Sequence, residues 1–145
     1  MAEDQTRRHK VLKKAKHRIK KITRWSRGVS LLQFVEDLNT YLRGWLGYFR
    51  LIETPTIIRD LDSWIRRRLR CYVMKQWIKN SHTRYQRLRS LGVSAQGAGG
   101  IAASRKGPWA LSNAKPLKVA LSNRFFVEKG LFFLLDHYEL SVTTT

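Results

Sequence analysis

Apolar positions recur at helical spacing from near the start of the chain. Between Arg7 and Trp25, Val11, Leu12, Ala15, Ile19 and Ile22 fall three or four residues apart, while Lys and Arg fill nearly every other place. That pattern predicts a helix with a narrow apolar stripe and a wide basic face, stopped at Arg27-Gly28. Ser30-Leu31-Leu32-Gln33 fits a capping box, in which the Ser30 hydroxyl and the Gln33 amide satisfy backbone N–H groups at a helix start. A second helix is predicted from Leu31 to about Phe49, with Leu31, Val35, Leu38, Leu42, Trp45 and Phe49 on its apolar face. Gly44 and Gly47 inside it cost about 1 kcal/mol each relative to Ala. They are therefore expected where another backbone, a helix or a nucleic acid strand, comes close.

Thr54-Pro55 marks a third start, with Pro at the first helical position, and this helix is expected to run to about Lys79. Ile58, Leu61, Ile65, Leu69 and Tyr72 form its stripe and Trp64 widens it. A shorter basic helix, Ser81 to Leu91, stops at Gly92. Residues 92–108, with Gly92, Gly97, Gly99, Gly100 and Gly107, read as a mobile connector with a frayed helix near Ser94–Ser104. Short apolar bursts follow, punctuated by Asn113, Pro116, Asn123 and Gly130, and fit short helices packing back on a bundle. The expectation is an all-α fold. Residues 1–91 are expected to form a basic helical bundle, 92–108 a Gly-rich connector and 109–145 a C-terminal helical extension packing on the bundle. Leu38, Leu42, Trp45, Leu61, Trp64 and Ile65 are the expected structural core.

Composition sharpens this picture. Among 145 residues, 43% are hydrophobic, including five Trp, five Tyr and six Phe, which argues against wholesale disorder. The formal net charge of +19 far exceeds what solubility requires. Such charge repels itself, and a polyanionic partner relieves it. It is also uneven. Twenty-three of the 29 Lys and Arg lie between Arg7 and Arg89, opposed there only by Glu36, Asp37, Glu53, Asp60 and Asp62. Polyanion binding is therefore expected in the first ninety residues. A single cysteine, Cys71, forbids an intramolecular disulfide and fits a reducing compartment. No run of eighteen apolar residues marks a membrane span, and the N-terminus lacks the apolar core of a secretory signal. A cytoplasmic protein with no membrane partner is expected.

Catalytic constellations are missing. His9, His17, His82 and His137 are scattered, none with a Cys or acidic partner at metal-ligand spacing, so neither a metal nor any other cofactor is expected. Asp60 and Asp62 point to different faces of one helix and read as complements to its N-terminal dipole, with Asp62 also able to pair with Arg66. No Gly-rich phosphate loop carries the required Lys and Ser/Thr. Cys71 reads as a helix residue beside the core. No catalytic residue is assigned.

Binding chemistry is plentiful instead. Arg66-Arg67-Arg68 with Arg70 is a dense guanidinium cluster, and Arg forks onto phosphate and stacks on bases. On a helix these four spread around more than half the circumference. The first helix is basic throughout, and Arg43, Arg50, Arg84, Arg87 and Arg89 add to it. Several cationic helices with few counter-charges point to nucleic acid. Lys13, Lys16, Lys20, Arg43, Arg50, Arg66, Arg67, Arg70 and Lys75 are the candidate RNA-binding residues. Tyr48 and Trp77 lie off the main stripes and are candidates for surface stacking on bases.

Two longer signatures carry a resemblance. Leu38-Asn39-Thr40-Tyr41-Leu42-Arg43-Gly44-Trp45-Leu46-Gly47-Tyr48-Phe49-Arg50 resembles the central signature of group II intron maturase-specific domains. Leu61-Asp62-Ser63-Trp64-Ile65-Arg66-Arg67-Arg68-Leu69-Arg70, with Lys75-Gln76-Trp77, resembles the second at the expected spacing. Gly107-Pro108-Trp109-Ala110-Leu111-Ser112, Ala120-Leu121-Ser122-Asn123 and Gly130-Leu131 are similar to the C-terminal extension of bacterial members. The resemblance implies a thumb-like bundle of three main helices that binds the structured RNA of a group II intron and assists its splicing, while the RNA performs the chemistry. Full-length relatives carry a polymerase domain with a Tyr-x-Asp-Asp motif. That motif is not in this sequence, so polymerase activity is not expected of it. The alternative reading is a thumb fragment of a split or truncated reverse transcriptase, holding template and primer for a separate reverse transcriptase core.

Overall fold

A computed structural model describes residues 2–24, 28–49, 55–77 and 80–143. Among these residues the fold is all-α, without a strand. In chain order the helices are α1 (Ala2–Ile22), α2 (Leu31–Phe49), α3 (Pro55–Gln76), α4 (Ser81–Ser90), α5 (Ala95–Ala103), α6 (Pro108–Leu111), α7 (Lys115–Ala120), α8 (Asn123–Glu128) and α9 (Leu134–Thr143). The chain divides into two compact units, one of Met1–Ile65 with Gly130–Thr145 and one of Arg66–Lys129. The division falls within α3.

In the first unit Ala15, Ile19 and Ile22 are buried among the described side chains of α1, while Val11 and Leu12 of the expected stripe are half-buried. It ends at Ile22, before the expected stop. Thr23 donates both its N–H and its hydroxyl to the Ile19 carbonyl, at 2.9 and 2.8 Å. Gly28 takes φ 63°, which glycine adopts without steric penalty. Helix α2 packs against α1 and α9. It buries Phe34, Val35, Leu38, Leu42, Trp45 and Leu46. Half of the expected capping box forms: Ser30 Oγ accepts the Gln33 N–H at 3.2 Å. The Gln33 amide turns forward instead and donates to Asp37 Oδ1 at 3.0 Å, one helical turn on. The first half of α3 contributes Ile58, Leu61 and Ile65, each at most 1% exposed. Trp64 is half-buried.

In the second unit the later half of α3 buries Leu69, Tyr72, Val73 and Met74. The helix ends at Gln76, short of Lys79. Trp77, one of two candidates for surface stacking, is 8% exposed and belongs to this core. Asn80 caps α4, its Oδ1 accepting the Thr83 N–H at 2.7 Å. Gly92 at φ 91° ends that helix. The glycine-rich stretch then forms α5 and packs against α4 and α7. Ser94 caps α5 through the Gly97 N–H, and Ala98 and Ile101 are buried. Gly97 is where small size matters: a Cβ there would meet Val93 Cγ1 at 3.1 Å and Pro116 Cγ at 3.5 Å. At Gly97 the small residue thus serves close packing.

Candidate nucleic-acid interface

The basic face of α1 is built by subtraction. With Ala15, Ile19 and Ile22 turned inward, Lys10, Lys13, Lys14, Lys20 and Lys21 are left exposed along one helix. Lys16 is half-buried, its Nζ 5.3 Å from the centroid of the Trp64 ring. That cation–π contact ties it to α3 while keeping its charge at the rim. Beside this face, a groove of about 650 Å³ runs between α1 and α2, lined by Arg18, Lys21, Ile22, Asp37, Thr40 and Tyr41. Burial raises the Tyr41 pKa, and the charge of Arg18 opposes the rise only in part.

Arg43 is exposed on α2, its guanidinium 5.4 Å from the Phe132 ring. Phe132 in turn stacks on His137, with centroids 3.9 Å apart and rings 11° from parallel. Gly44 and Gly47 follow Arg43 on the same helix. A Cβ at either would meet nothing within 4 Å among the described residues. No helix among the described residues comes close there, so among them the first of the two reasons expected for these glycines finds no support. Arg50 lies outside the described residues, as do Trp25 and the Tyr48 side chain.

Two arginines of the α3 cluster, Arg67 and Arg70, bond within the fold. Arg66, Arg67 and Arg68 are half-buried and Arg70 is 6% exposed. Arg67 donates through Nε to Ser112 Oγ at 3.2 Å and through Nη2 to the Trp109 carbonyl at 2.9 Å. Its guanidinium lies 4.0 Å from the centroid of the Trp109 ring. Arg70 Nε donates to the Ser112 carbonyl at 2.8 Å. Helix α6 is only four residues long, so its carbonyls have few intrahelical partners, and two arginines of α3 supply them. Burial, then the charges of Arg66 and Arg67, pull the Arg70 pKa down to about 10. Arg70 is thus a crosslink between α3 and the end of α6, with its fork turned away from solvent. Lys75 is half-buried.

Two further polar side chains hold α9, and the sequence reading gave neither this role. Asn39 donates from Nδ2 to the Gly130 carbonyl at 2.8 Å and accepts the Phe132 N–H on Oδ1 at 2.7 Å. Asp62 accepts the N–H groups of Leu134 and Leu135. It therefore complements the N-terminus of α9, whereas the expectation placed it at the start of its own helix. The only signal for either residue was a polar side chain next to a core leucine, Leu38-Asn39 and Leu61-Asp62.

Among the described residues, no group of three or more His, Cys, Asp or Glu side chains is placed to hold a metal ion. No helix among them is long and apolar enough to cross a membrane. The family model for the group II intron maturase-specific domain matches residues 12–92, more than half of the chain. The chain belongs to this family. The match spans α1 from Leu12 through α4 and takes in both signatures, at 38–50 and 61–77, that carry the resemblance. It ties the chain to the maturase function of group II introns. No curated protein matches the chain. In this maturase-specific domain the two signatures thus contain the two side chains, Asn39 and Asp62, that anchor a segment beyond the matched region.

Proposed function

We propose that this maturase-specific domain binds the structured RNA of a group II intron and assists its splicing without catalytic residues of its own. The observation that carries the reading is the basic face of α1, where five lysines are exposed behind a three-residue apolar stripe. Lysines aligned this way neutralise phosphates and release their counterions, which supplies affinity without sequence preference. Preference for folded RNA then comes from shape, because the deep major groove of an A-form helix is closed to side chains. Exposed Lys13 and Lys20 on α1 and exposed Arg43 on α2 are the leading phosphate contacts, with Lys16 held at the rim by Trp64. Arg66, Arg67 and Lys75, all half-buried, contribute further positive charge. Arg70 acts by fixing α6. The bond-breaking steps fall to the RNA. The protein favours its active fold by binding that fold more tightly than competing ones.

The test is splicing of a group II intron transcript at a magnesium concentration too low for efficient self-splicing. Added protein is expected to raise the yield of ligated exons. The variant Lys13→Glu/Lys20→Glu is expected to raise it much less. An unchanged yield with the wild-type protein would overturn the splicing role.

A further inference from the structure

We propose that Trp109 is a stacking platform for an unpaired nucleobase of the bound RNA, an inference that rests on the RNA-binding reading above. Trp45 and Trp77 are 9% and 8% exposed, whereas Trp109 is 40% exposed even with a guanidinium over its ring. An indole left this open gains little from the fold. It is nevertheless held firmly. Pro108 sits in the first turn of α6 and restricts the backbone ahead of it. Arg67 lies 4.0 Å from the ring centroid and is itself pinned by two hydrogen bonds, to the Trp109 carbonyl and to Ser112 Oγ. Ser112 is fully buried and is fixed in turn by Arg70. This is preorganisation: an indole open to solvent rests on an arginine of α3 that two hydrogen bonds hold in place.

A flat, rigid aromatic face suits an unpaired base, because every base offers a π-face and stacking requires no particular hydrogen-bond edge. The surrounding charge suits the same occupant. Arg105 and Lys106 are exposed just ahead of Pro108, placed to meet the phosphates that flank a splayed base. Arg67 supplies positive charge beneath the ring and serves as a positioning residue. A paired helix buries its base faces within its own stack and has nothing to offer this platform. The platform therefore selects loops, bulges and single-stranded junctions within a structured RNA.

The experiment compares two RNA probes. One is a stem-loop whose purine-rich loop carries 2-aminopurine, and the other is the same strand annealed to its full complement. With the wild-type chain, 2-aminopurine fluorescence is expected to be quenched on binding the stem-loop. Trp109→Ala is expected to weaken stem-loop binding about tenfold, to leave the fully paired RNA within about twofold, and to abolish the quenching. Trp109→Phe is expected to recover most of the loss, because it keeps an aromatic face. An equal loss on both RNAs would reduce Trp109 to a structural role, and no loss on the stem-loop would leave the platform unused or given to a protein partner; either overturns the proposal. If Trp109→Ala fails to fold by circular dichroism, photocrosslinking of the wild-type chain to a loop 4-thiouridine decides. Crosslinks at Trp109 support the platform, and crosslinks only elsewhere overturn it. Wild-type protein that binds neither RNA at low salt would overturn the RNA-binding reading itself, and this inference with it.

Discussion

Asp62 accepts the backbone N–H of Leu134 at 2.9 Å, across 72 residues of chain, and its second carboxylate oxygen accepts that of Leu135 at 2.8 Å. Asp62 is 6% exposed, and the bond to Leu134 is buried while that to Leu135 is partly so. Asp62→Ala leaves two N–H groups of α9 without their acceptor and is expected to cost about 1–3 kcal/mol. Asp62→Asn keeps one acceptor and is expected to cost less. Urea unfolding measures the loss, and hydrogen exchange at Leu134 and Leu135 locates it.

Asn39 holds the segment just ahead of α9 through Gly130 and Phe132. Asn39→Ala is expected to lose about 1–2 kcal/mol by urea unfolding. Because Asn39 and Asp62 tether one short stretch, their losses are expected to combine less than additively. A double-mutant cycle with strictly additive losses would show that the two tethers act independently.

Arg70 and the lysines of α1 are expected to separate cleanly. Arg70→Met removes the donor to the Ser112 carbonyl and is expected to cost about 1–3 kcal/mol of stability. It should leave the salt dependence of RNA binding unchanged. Lys13→Gln and Lys20→Gln are each expected to lower the slope of log K against log salt by about 0.7–0.9. Their stability is expected to stay within about 0.5 kcal/mol of wild type. Paired unfolding and binding titrations check both halves.

Burial raises the Cys71 thiol above its ordinary value of 9.0, against the pull of Lys75, Arg68 and Arg67. Tyr41 is raised above 10.0 by burial, opposed by Arg18. Both groups keep their protons to higher pH in the folded chain than in the unfolded one. The stability this gives is complete below the unfolded values and is lost as pH rises through the folded ones. The urea midpoint is expected to fall above about pH 9, and Cys71→Ala is expected to remove the first part of that fall. Iodoacetamide is expected to modify Cys71 more slowly in the folded chain than in urea.

The long helices were legible because their faces follow simple periodicity: Leu38, Leu42, Leu61 and Ile65 sit at helical spacing and are all buried. Phe34, three residues after Leu31 and four before Leu38, lies on the same face and was passed over for its neighbour Val35. Trp77 escaped because it lies off the stripe of α3 and past its last helical residue, where helical spacing no longer tells which side chain is buried. The glycines of 92–108 read as a connector because composition does not reveal that Gly97 packs against Val93 and Pro116. The α1 lysines could be read as a basic face from sequence alone. The α3 arginines could not be sorted into surface and crosslink, because their partners Trp109 and Ser112 lie more than forty residues away. Still longer separations, from 72 to 93 residues, hid the roles of Asn39 and Asp62.

Affinity as a function of potassium chloride, measured side by side for a group II intron transcript and a duplex DNA of equal length, tests the account most directly. Tight binding to the intron that weakens steeply with salt, and weaker binding to the DNA at every salt concentration, is the expected result. Equal affinity for the two, or intron binding that does not respond to salt, would contradict it.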